Sequence, residues 1–86
     1  MAYSDRELLA RLIECEAGGE EYEGQLAVGA VVMNRVRSGA YPDTIHAVIY
    51  ASGQFTPAQS GKVNRVLESG KIKQSCIDAA TEAISG

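Results

Sequence analysis

Basic clusters, metal-ligand spacings and long apolar runs are all missing from this 86-residue chain, and each gap argues against a class of function. The eight Lys and Arg residues are dispersed, the formal net charge is −3 and the pI is near 5.0, so no nucleic-acid partner is expected. One histidine, His46, and two cysteines, Cys15 and Cys76, with no CxxC pair, are too few to ligate zinc or an iron–sulfur cluster. No metal or other cofactor is therefore expected. No apolar run approaches the ~20 residues that span a bilayer, and the N-terminus lacks the basic-then-apolar pattern of an export signal. Membrane insertion is not expected, and nothing in the pattern specifies an oligomer. Repeats, low-complexity segments and linkers are likewise missing. What remains, 45% hydrophobic and 22% charged, is the composition of one small globular domain.

The chain reads as mainly helical. "SDRE" at residues 4 to 7 is a capping box: Ser4 can accept from the backbone N–H of Glu7 while Glu7 reaches back, which starts a helix that Gly18-Gly19 end after about Ala17. On a helical wheel Leu8, Leu9, Leu12 and Ile13 fill one arc, with Glu7, Arg11 and Glu14 opposite. Glu16 falls inside the apolar arc. A second helix, about Glu21 to Ser38, is apolar almost all round and is expected to be the buried central one. Gly24 and Gly29 inside it imply close approach of another backbone, and Gln25 shares its stripe with Gly29, Val32 and Val36. Asp43 or Thr44 caps a short helix that turns Ile45, Val48 and Ile49 inward. The final helix, about Ile72 to Ser85, sets Ile72, Cys76, Ala79, Ala80, Ala83 and Ile84 on one face and ends at Gly86. The stretch "ASGQFTPAQSGKVN" between them is a polar loop, with α+β character only if a short strand forms near Gln54 to Thr56. Both cysteines sit in helical patterns, which favours two small buried hydrophobes over a disulfide.

A carboxylate drawn away from water has its charged form disfavoured, which is what a general acid needs. Glu16 is placed for that role, much as a glutamate in an apolar pocket protonates a glycosidic oxygen in lysozyme. On the wheel alone a plainer reading stays open, in which Glu16 bends out to solvent or bonds the loop amides. Conventional glycosidases hold a second carboxylate ~5 Å away for retention or ~6.5–9.5 Å away for inversion. Glu20, Glu21, Glu23 and Asp43 are near, but none has an apolar setting, and the glutamates suit the solvated start of the second helix. A lone acid suffices if the substrate supplies its own nucleophile. His46 reads as a surface or capping residue, and nothing in the sequence brings it to Cys15 for cysteine-protease chemistry. The loop around Gln54, Phe55 and Thr56 has no phosphate-binding spacing. It offers an aromatic ring and amides of the kind that stack on and hydrogen-bond a sugar, although Phe55 serves equally as a core anchor.

These features, in order, resemble a family. Glu16-Ala17-x-Gly19-Glu20, Glu23-Gly24-Gln25, Val31 with Asn34-Arg35-Val36, Pro42-x-Thr44-Ile45, Val48-Ile49, Gln54-Phe55-Thr56, Gly61 and Asn64 look like the catalytic domain of the bacterial cell-wall hydrolases that include the SleB and CwlJ spore cortex-lytic enzymes. The resemblance covers most of residues 8 to 86 and implies a small lysozyme-like helical domain acting outside the cytoplasm, in the cell wall or spore cortex, on peptidoglycan glycan strands. It also implies lytic transglycosylase chemistry in which Glu16 protonates the bond after N-acetylmuramic acid and the muramyl C6 hydroxyl closes on C1. Gln25, Gln54, Phe55 and Thr56 are then candidates for the substrate side of the site or for support behind it. Alternatives are a hydrolytic muramidase or glucosaminidase, or a non-catalytic peptidoglycan-binding module. Two departures stand out. Gly18 occupies a position where the family usually carries an arginine or similar residue, and family domains tend to continue beyond the last helix into a loop and strand segment that walls the cleft. Residues 1–86 are thus expected to form a single catalytic domain without that segment.

Overall fold

A computed structural model describes residues 4–40, 43–50 and 72–86. All regular structure among them is helical: α1 Asp5–Ala17, α2 Tyr22–Ser38, α3 Ile45–Tyr50 and α4 Gln74–Ser85. The expected mainly helical class holds for these residues. The possible strand at Gln54 to Thr56 lies outside them.

α1 starts where the capping box places it. Ser4 is extended (φ −65°, ψ 159°), the Glu7 N–H donates to Ser4 Oγ at 3.1 Å, and the Ser4 hydroxyl donates to Glu7 Oε1 at 3.1 Å. Asp5 and Glu7 in the first turn add negative charge where the helix dipole favours it. Leu8, Leu9, Leu12 and Ile13 are buried as the wheel requires. The opposite arc behaves differently from its polar character. Arg11 is buried and Glu14 half-buried, because the start of α4 lies across that side, with Ile72 and Ile77 lining a cavity beside Ala10 and Arg11. The first helix is therefore enclosed on both sides.

α2 is less buried than its composition suggests. Gln25, Gly29, Val32 and Met33 are its buried residues, while Val31 is exposed and Leu26, Val28 and Val36 are half-buried. Only one stripe faces the bundle. Gly39 ends α2 in the left-handed conformation (φ 78°), and Arg35 and Arg37 supply positive charge to the last turn. Thr44 is the cap of α3, its Oγ1 accepting from the Ala47 N–H at 3.1 Å, and Ile45, Val48 and Ile49 point inward as expected. α4 buries Cys76, Ala79, Ala80 and Ala83 and closes through the Gly86 N–H donating to the Glu82 carbonyl. α1 and α2 each pack against every other described helix.

The two α2 glycines serve different ends. A Cβ on Gly29 would lie 2.9 Å from Ala83 Cβ and 3.4 Å from Ile13 Cδ1, so Gly29 permits the close approach of α4. Gly24 faces no second backbone; its space is taken by the Glu20 side chain. Gly29→Ala gains about 1 kcal/mol of helix propensity and loses about 1–3 kcal/mol to overpacking against a side chain with no torsion to relieve it. A net loss of roughly 1 kcal/mol is expected by denaturant unfolding, with the α2–α4 spacing widened.

Tyr22, at the start of α2, donates its hydroxyl to Glu82 Oε1 at 2.7 Å. That hydrogen bond first, then desolvation and the negative charge of Glu82, push the Tyr22 phenol up to about 12. The neutral phenol is the form the fold favours. This contribution to stability is present below pH 10, the ordinary tyrosine value, and is lost between pH 10 and about 12. Ultraviolet titration is expected to show one of the four tyrosines ionising near 12, and Glu82→Ala to return it towards 10.

Candidate active site

Glu16 lies on the last turn of α1, half-buried, one turn after buried Leu12 and Ile13 and next to buried Ala17. It shares a helix face with Leu12, four residues earlier. Among the described residues no hydrogen bond or ion pair engages its carboxylate. A partly enclosed carboxyl with nothing holding it is available for proton exchange with a bound group.

The turn after it is built by other residues. Gly18 keeps right-handed helical angles (φ −59°, ψ −28°) and its N–H still reaches the Glu14 carbonyl at 3.1 Å. The Glu20 N–H then closes on the Ala17 carbonyl at 3.0 Å. The helix thus ends without a left-handed glycine, contrary to the usual reading of a Gly-Gly stop. What Gly18 provides is room. A Cβ there would collide with Glu14 Oε2 and crowd the Glu14 carbonyl oxygen, so glycine leaves the space in which the Glu14 carboxylate lies over the turn. That carboxylate accepts the Lys73 backbone N–H at Oε1, 2.9 Å away, and the Lys73 ammonium donates to the Gly18 carbonyl oxygen.

Gln25 is 2% exposed and donates from Nε2 to the Glu20 carbonyl at 3.1 Å, while its buried Oε1 has no hydrogen-bond partner among the described residues. The amide thus grips the α1–α2 turn from a buried position. Gln54, Phe55 and Thr56, with Gly61 and Asn64, lie outside the described residues.

Among the described residues the competing chemistries do not assemble. His46 Nδ1 lies 3.2 Å from Asp5 Oδ1 at the opposite end of α1, roughly 15 Å of helix rise from Cys15. Cys15 is a half-buried thiol and Cys76 a buried one, as expected of small hydrophobes; burial first, then the charge of Glu14, pushes the Cys76 thiol up. Glu20, Glu21, Glu23 and Asp43 are exposed. Among the described residues no cluster of His, Cys, Asp and Glu could hold a metal ion.

Sequence reasoning missed Glu14 and Lys73. Glu14 looked like part of a solvated face, and Lys73 meets it from 59 residues away. One weak signal pointed there: the last turn of α1 carries no basic residue of its own, which leaves its negative dipole end open to a cation from another element.

The fold and this end of α1 define a helical domain presenting, among the described residues, one unengaged, half-enclosed carboxyl. A profile of the cell wall hydrolase family matches residues 19–86, beginning just after Glu16, and the chain belongs to that family. It is similar to the spore cortex-lytic enzymes of Oceanobacillus iheyensis, 38% identical over 76 residues, and of Bacillus subtilis, 34% identical over 83 residues. These alignments cover 88% and 96% of the chain but 27% and 26% of the relatives, so the chain spans about a quarter of their length. Among solved structures it resembles the catalytic domain of the germination-specific lytic transglycosylase SleB from Bacillus anthracis. The TM-score is 0.79 at 33% identity, covering 99% of this chain and 67% of that one.

Proposed function

We propose that this domain cleaves peptidoglycan glycan strands as a lytic transglycosylase, with Glu16 as the general acid and base. The observation that carries this reading is the Glu16 carboxyl itself: half-buried and unengaged, whereas Glu14, the other half-buried carboxylate among the described residues, is taken up by the Lys73 backbone N–H. Protonated Glu16 donates to the glycosidic oxygen after N-acetylmuramic acid, and the C1–O bond breaks. The resulting carboxylate withdraws the proton of the muramyl C6 hydroxyl as that oxygen bonds to C1. The acid is regenerated, and the product carries a 1,6-anhydro ring with no water consumed. The similarity to enzymes named as cortex-lytic and as a lytic transglycosylase supports the substrate class and the reaction, and implies work outside the cytoplasm.

In this reading Gln25 steadies the turn behind the acid, while Gln54, Phe55 and Thr56 meet the sugar. No cofactor takes part. The test is digestion of purified sacculi or cortex with mass spectrometry of the soluble products. Anhydro ends are expected. Reducing ends would replace transglycosylation by hydrolysis, and binding without product would make the domain a wall-binding module.

A further inference from the structure

The hydrogen bonds at the end of α1 point to a residue outside every motif that marks the family. We propose that Lys73 is a positioning residue for Glu16: from the N-cap of α4 it fixes the last turn of α1 and thereby the direction of the carboxyl. The inference rests on the catalytic reading of Glu16 given above.

Lys73 makes two contacts across the bundle. Its backbone N–H donates to Glu14 Oε1 at 2.9 Å, and its ammonium donates to the Gly18 carbonyl. The two anchors bracket Glu16, two residues before it and two after. At about 100° per residue, positions 14 and 18 fall within about 40° of each other, whereas position 16 is turned about 200° from position 14. Lys73 therefore holds the backbone from the far side and leaves the face bearing the carboxyl open. The Gly18 carbonyl is among the last of the helix, which lack intrahelical donors and carry the negative end of the dipole. α1 has no basic residue of its own in its last turn, and Lys73 supplies that charge from α4. Gly18 completes the arrangement, because any side chain there would drive the Glu14 carboxylate out of the space from which it reaches Lys73.

Positioning of this kind acts on the chemical step, where a displacement of about 1 Å can cost about 100-fold in rate. Lys73→Met, Lys73→Arg and Glu16→Gln are compared with the unaltered chain on soluble glycan strands, with kcat and KM resolved and backbone amide exchange followed. Lys73→Met is expected to lower kcat by about 10- to 100-fold with KM and melting temperature retained. It is also expected to speed exchange at Gly18 and Glu20, with the core amides of α2 unchanged. Lys73→Arg, which keeps a cationic donor, is expected to restore most of kcat. The proposal is overturned if Lys73→Met keeps full kcat, if it raises KM alone, as loss of a sugar contact would, or if its loss merely follows the fraction unfolded. With Glu16→Gln inactive in the same assay, those outcomes remove the role of Lys73 and leave the catalytic reading standing. An active Glu16→Gln removes both.

Discussion

Glu16→Gln is expected to reduce release of soluble muropeptides by ~10²–10⁴-fold, the usual worth of a positioned general acid or base. The substitution preserves shape but exchanges the ionisable carboxyl for a neutral amide that can neither give up nor take a proton near neutral pH. Since the carboxylate engages no partner among the described residues and is half-buried, no hydrogen bond is broken and the fold should be unchanged by circular dichroism and melting temperature. Affinity for sacculi should persist, because glutamine fills the same volume. The loss should therefore lie in kcat. Release at the rate of the unaltered chain would sink the assignment of Glu16, and loss of both binding and folding would show that the side chain serves structure instead.

Leu12→Ala is expected to be the most costly of the simple truncations considered. Leu12 is completely buried in α1, one turn before Glu16 on the same face, within a core that also takes in Val32, Ile49 and Ala80. Removing its branched end sacrifices transfer free energy and leaves a cavity, together about 2–5 kcal/mol. A domain of this size has about 5–15 kcal/mol in all, so the melting temperature should fall by roughly 10–30 °C. Leu12→Met, which nearly conserves volume, should cost less than about 1.5 kcal/mol. Equal melting temperatures for the Ala and Met variants would mean that the helix relaxes into the gap and that the floor beneath Glu16 is softer than the packing implies.

The sequence made the helices legible because their signals are local. Ser4 and Glu7 three residues apart, Thr44 before Ile45, and Gly86 after Ser85 are punctuation that tertiary packing did not override. The half-buried placement of Glu16 was legible for the same reason: a charge at an apolar position shows on a wheel. Arg11 and α2 were misjudged because a wheel knows one helix at a time. Whether Arg11 faces water depends on where α4 lies, and the apolar residues of α2 outnumber the faces its neighbours can cover. Gly18 was seen as a helix breaker, yet its purpose depends on Glu14 and Lys73, a long-range pair that no periodicity encodes. Gln25 stood out as a polar residue in an apolar stripe. That it bonds the Glu20 carbonyl follows only from the turn geometry.

Lys73 reaching back to Glu14 also has a meaning in time. The chain is made from its N-terminus, so α1 is synthesised with its acid in place long before residue 73 exists. On the reading given above, the acid is correctly aimed only once the first and last helices have met. On that same reading, a nascent or incompletely folded copy would carry the Glu16 carboxyl without its aim, and the site would become competent only after the last helix has docked.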